Sequence, residues 1–105
     1  MGGDTSVVIG GTAVDRSRLA DLCERYGVAE LSAFGSVARG DDRPGSDLDL
    51  LYVLAPGHHL GFSVNRLEDE LSDLFGRRVD LVSKAALHPA IRDRVLEEAR
   101  LLHVA

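Results

Sequence analysis

The sequence predicts an α+β domain in which helices and strands alternate, and three observations carry that reading. Apolar residues recur at helical spacing around residues 19–26, 67–75 and 91–102, and short apolar runs at 29–34, 48–54 and 77–83 lie between them. Glycines stand where the first two long helices should stop, at Gly27 and Gly76. The chain has 105 residues, 45% of them hydrophobic, which suits a single core. No internal repeat, low-complexity segment or linker divides it.

Taken in order, residues 1–11 (MGGDTSVVIGG) are Gly-rich around Val7-Val8-Ile9. They read as an N-terminal tail or as a small added strand, with the domain expected over residues 12–105. Thr12 is the expected N-cap of the first helix, with Asp15 three residues on completing a capping box. Leu19, Leu22, Cys23 and Tyr26 then fall on one helical face. Cys23 therefore reads as core packing, not as a nucleophile. Residues 29–34 form the first strand, 36–40 a helical turn, and 41–46 a loop with Pro44-Gly45 as its turn signal.

The second strand covers residues 48–54, and Pro56-Gly57 ends it. The next helix covers residues 62–75. Ser63 is its expected N-cap, Phe62 and Leu67 its hydrophobic staple, and Leu67, Leu71, Leu74 and Phe75 its buried stripe. Glu68, Asp69, Glu70 and Asp73 read as its solvated side. In the third strand, 77–83, Val79 and Leu81 share one face, and Arg78, Asp80 and Val82 the other. Pro89 suits the first turn of a last helix, lined on one side by Ile91, Val95, Ala99 and Leu102.

Composition narrows the function. Twelve basic and 17 acidic residues give a net charge of −5. A protein that holds a nucleic-acid backbone is usually basic, which argues against long DNA or RNA as substrate. A single cysteine excludes an internal disulfide and a cysteine-based zinc cluster. The four histidines, His58, His59, His88 and His103, show no HxxxH spacing. With neither a signal-peptide pattern nor an apolar run near 18 residues, the expectation is a cytoplasmic protein with no membrane partner.

The chemistry concentrates in FGSVARGDDRPGSDLDLLYV, residues 34–53. Asp47, Asp49, Leu51 and Val53 alternate with Leu48, Leu50, Tyr52 and Leu54, so both aspartates share one strand face. They stand about 6.6 Å apart at the backbone, which lets their carboxylates converge on one magnesium ion or on a pair. Gly35 allows backbone N–H groups to approach a phosphate, and a helical turn from Ser36 aims its positive end there. An ordinary strand-to-helix turn with a serine cap has the same geometry. Asp80, an acid inside the apolar run RRVDLVS, is either a functional carboxylate or an edge-strand charge facing water or paired with Arg77 or Arg78.

Gly35-Ser36, ten intervening residues and Asp47-Leu48-Asp49 resemble the signature of DNA polymerase β-like nucleotidyltransferases. More narrowly, FGSVARG followed by SDLDLLYV is similar to the minimal nucleotidyltransferases, antitoxins of HEPN/MNT toxin–antitoxin pairs. The resemblance covers residues 13–102 and implies the minimal nucleotidyltransferase fold: an αβαβαβ core, a three-stranded mixed sheet and a C-terminal helix. It implies Gly35, Ser36 and Arg39 as nucleotide-binding residues, Arg43 having a weaker claim. It also implies Asp47, Asp49 and Asp80 as catalytic ligands of two magnesium ions, with Asp80 the general base.

The activity so implied is transfer of AMP from ATP to a tyrosine of a HEPN toxin ribonuclease, which silences the toxin. Two alternatives stand beside it: a catalytically idle module that covers the toxin, and an enzyme acting on a small molecule such as an aminoglycoside. A homo- or hetero-oligomer fits either enzyme, because larger relatives carry a further acceptor-binding domain.

Overall fold

The computed structural model describes residues 6–40, 43 and 46–105. Pro44-Gly45 and most of the loop at 41–46 lie outside the described residues, as do residues 1–5 of the N-terminal segment.

Of the two readings of residues 1–11, the described part is a strand. Ser6–Ile9 (β1) pairs antiparallel with Thr12–Asp15 (β2), Ile9 opposite Thr12. Gly10 and Gly11, at φ of 57° and 78°, make the two-residue turn, and both positions need the left-handed backbone that glycine adopts without strain. Val7, Ile9 and Val14 face the core, which gives the hairpin its reason to dock.

The hairpin overturns the predicted cap. Thr12 belongs to a strand, and the first helix (α1, Arg16–Tyr26) is capped by Asp15 itself. One carboxylate oxygen of Asp15 accepts from the Ser17 N–H and hydroxyl and from the Arg18 N–H. Those bonds hold its pKa below the ordinary carboxylate value, the Ser17 hydroxyl most strongly. Leu19, Leu22 and Cys23 are buried as predicted, and burial raises the Cys23 thiol to about 12, the mark of an inert core cysteine.

Val28–Phe34 (β3) leads into a one-turn helix, Gly35–Arg39 (α2), and Leu48–Leu54 (β4) returns antiparallel beside β3. Ser63–Phe75 (α3) follows, with Leu67, Leu71 and Phe75 buried and Leu74 only partly so. The predicted staple is absent. Phe62 is fully exposed at 101% and takes helical angles itself, so no side chain caps this end. Val79–Ser83 (β5) runs parallel to β4, and a 3-10 turn at Lys84–Ala86 leads to Pro89–Glu98 (α4), with Pro89 in its first turn.

The final correction concerns the sheet, which has four strands in the order β5-β4-β3-β6. The predicted helix through Leu102 stops at Glu98, and Arg100–Val104 (β6) pairs antiparallel with β3. Ile91 is 48% exposed and Ala99 is extended. Leu102 is buried as a strand residue, because the open edge of β3 offers unpaired backbone groups that a helix could not satisfy.

The sheet has two unlike faces. One carries Leu31, Ala33, Leu48 and Leu50 into the main core, against α1 and α3. Over the other runs α4, in contact with α2 and β3. No helix is long and apolar enough to cross a membrane among the described residues.

Candidate active site

The second face carries the acids. Strand pairing sets Asp49 opposite Phe34 on one side and beside Asp80 on the other. Asp49 is thus flanked by the start of α2 and by β5, and it is half-buried while Asp47 and Asp80 are exposed. Its pKa lies above the ordinary carboxylate value, first because burial strips it of water and then because Asp80 and Asp47 repel its charge. The charges of Asp47 and Asp80 thus both bear on Asp49, although 33 residues of sequence separate them.

Gly35 meets the same carboxylate. Its φ is 76°, and a Cβ added there would lie 2.6 Å from Oδ2 of Asp49, closer than real atoms approach. Glycine is required twice, by the backbone angle and by the acid pressed against it. Ser36 follows in the first turn of α2, half-buried beside this contact.

Arg39 sits at the far end of α2, where its guanidinium bonds Glu98 of α4 at 3.2 Å. Arg43 is exposed, with its backbone N–H donating to the Ser46 hydroxyl. Arg78 stands 4.0 Å from Asp47, not from Asp80, and both side chains are largely in water.

Two positioning residues escaped sequence reasoning. β5 is an edge strand, and its outward N–H groups are taken up by α3: Val79 donates to the Ser72 hydroxyl at 3.0 Å and Leu81 to Oε2 of Glu68 at 2.9 Å. These bonds clamp the strand on either side of Asp80. Glu68 is thus not part of a merely solvated face. Its spacing along α3 matches that face, and only the packing of α3 against β5 reveals the bond.

Among the described residues, no three His, Cys, Asp or Glu side chains are drawn close enough to cage a metal alone. An open set of carboxylates suits magnesium, which binds one or two carboxylates and keeps water or phosphate oxygens for its other positions. Asp49 also gains from a cation, since its carboxylate is held among like charges.

With this geometry in place, comparison with known proteins is informative. The nucleotidyltransferase domain family matches residues 16–102. Protein adenylyltransferase MntA of Thermococcus cleftensis is 41% identical over 78 residues, covering 74% of this chain and 78% of that protein. A solved structure assigned as a minimal nucleotidyltransferase is 45% identical with a TM-score of 0.68, covering 81% of this chain and 86% of that one. An MNT antitoxin in complex with a tri-AMPylated HEPN toxin of Shewanella oneidensis shares the fold at a TM-score of 0.60. It is 16% identical, with coverage of 86% and 70%.

Proposed function

The chain belongs to the nucleotidyltransferase domain family, and from that premise we propose that it transfers AMP from ATP to a tyrosine of a HEPN toxin, neutralising it. The observation that carries the reading is the close approach of the Asp49 carboxylate to Gly35, which sets an acid against the glycine turn that opens α2. The antitoxin role is supported by the relative named a protein adenylyltransferase and by the fold shared with a toxin-bound antitoxin.

In this mechanism the Gly35 and Ser36 backbone and the Ser36 hydroxyl donate to the triphosphate and fix it at the start of α2. Asp47, Asp49 and Asp80 are the residues that would hold magnesium. The metal, when bound, offsets phosphate charge and lowers the pKa of the acceptor hydroxyl. Asp80, clamped through its neighbours by Ser72 and Glu68, takes the proton from that hydroxyl. The acceptor oxygen bonds to the α-phosphorus, the bond from that phosphorus to the bridging oxygen breaks, and pyrophosphate leaves. Attached AMP then brings negative charge and bulk that oppose an RNA phosphate path.

The test is the intact mass of a cognate HEPN protein after incubation with this chain, ATP and magnesium. A gain of one or more AMP units on tyrosine, lost with the Asp47→Ala, Asp49→Ala double variant, is the expected result. Full neutralisation by that double variant with no mass gain would establish occlusion in place of catalysis.

A further inference from the structure

α2 is too short to stand by itself. A helix of five residues, Gly35–Arg39, falls well below the length that is stable alone, so its neighbours must fix it. Val37 is buried in the main core, and the Gly40 N–H closes the last turn on the Ser36 and Val37 carbonyls. The final residue, Arg39, reaches a different element, where its guanidinium donates to the Glu98 carboxylate at 3.2 Å.

Glu98 has a firm base. It is the last residue of α4, and two residues on Arg100 opens β6 directly opposite Ala33 of β3. β3 in turn runs through Phe34 into Gly35. The β3–β6 pairing therefore registers the end of α4 against the start of α2. Val95, about one turn back along α4, is buried outside the main core cluster, so the helix is seated near this end. Reading the helix through Leu102 had given Glu98 no role.

We propose that Glu98 is a positioning residue for nucleotide binding: by holding Arg39 it fixes α2, and with it the Gly35-Ser36 turn beside Asp49. Arg39 then serves the frame that presents the turn, not the phosphates themselves, within the nucleotidyl-transfer reading on which this inference rests. The two roles of Arg39 make opposite demands on Glu98. If Arg39 bound phosphate, Glu98 would compete for it, and its charge would also repel the triphosphate. As a tie, Glu98 assists nucleotide binding in spite of its charge.

Calorimetric titration of ATP and of inorganic tripolyphosphate, both with magnesium, decides by sign. Glu98→Gln removes a negative charge and keeps the shape, yet it should weaken both ligands about threefold to fivefold, the scale of a partly exposed ion pair. Arg39→Ala should weaken both by a similar factor, and Arg39→Lys should recover part of that loss. The Arg39→Ala, Glu98→Gln double variant should lose no more than the larger single loss, because each change cuts the same tie. Thermal midpoints should stay within a few degrees of the intact chain. Unchanged or tighter binding in Glu98→Gln overturns the proposal, as does a double-variant loss equal to the product of the single losses. A loss confined to ATP overturns it too, since α2 serves only the phosphates. So does a steep fall in the thermal midpoint, since the pair would then hold the fold and not the turn. Each of these outcomes leaves the nucleotidyl-transfer reading standing. Absence of ATP binding by the intact chain removes that reading, and this inference with it.

Discussion

β4 presents two faces that follow different rules. Leu48 and Leu50 point into the main core and are fully buried. Asp49 sits between them in sequence, yet it points the other way and remains part-exposed. Each leucine gains from the water it loses. Asp49 loses by the same burial, and the charges of Asp80 and Asp47 add to that loss. One strand therefore supplies stability on one side and stored repulsion on the other. The face proposed as the active site is not the stabilising face, and the buried leucines offset its cost.

The sharpest way to break the comparison is to cut each side separately. Leu50→Ala should lower unfolding free energy by about 2–5 kcal/mol, from lost transfer energy plus a cavity. Denaturant unfolding measures it, and a loss well below 1 kcal/mol would show that the core face is not what holds the strand. Asp49→Asn should do the reverse, with AMP transfer falling by about a hundredfold or more and the thermal midpoint unchanged or raised. An unfolded variant, or one with full turnover, would end the assignment of Asp49 to the site.

Ser36→Ala touches only the phosphate side, and nucleotide affinity should fall about ten- to a hundredfold for the loss of one charge-assisted bond. Stability should barely change. Gly35→Ala belongs to both regimes. Its left-handed backbone should cost about 1–2 kcal/mol, and its new methyl would displace the Asp49 carboxylate. A variant that keeps both stability and transfer would show that the Gly35–Asp49 contact has no role.

The smallest effect is with pH. The folded-state pKa of Asp49 is raised, so between the ordinary carboxylate value and that raised value the folded chain binds more protons than the unfolded one. The Asp49 contribution to stability should then fall as pH rises through that window and return as pH falls below it. Asp49→Asn should flatten this part of a stability–pH curve, and identical curves for both proteins would remove the repulsion argument.

Much of the fold was legible because period and punctuation agreed. The stripe of α3, the glycine stops after α1 and α3, and the alternation of β4 all appear as expected. The two misread strands share one cause. A four-residue strand such as β2, or a five-residue one such as β6, carries too few residues for its period to be distinguished from a helix end. Gly10-Gly11 between two β-branched runs was the available hairpin signal, and it competed with a capping pattern at Thr12. Leu102 fitted a helical stripe equally well until the edge of β3 was there to pair with it.

By itself the sequence marked out the candidate site: a glycine–serine turn, three aspartates, and a strand period that puts Asp47 and Asp49 on one side. Those are properties of local backbone geometry and residue type, and they do not depend on which elements become neighbours. Only the tertiary structure decided the rest. The parallel pairing of β4 with β5 sets Asp80 beside Asp49, α3 clamps the β5 edge, and α4 lies over the acidic face. The turn from α4 into β6 brings Glu98 against Arg39 for the same reason. Strand order and edge satisfaction are long-range matters, settled by which backbone groups and apolar faces remain unpaired once the local elements exist.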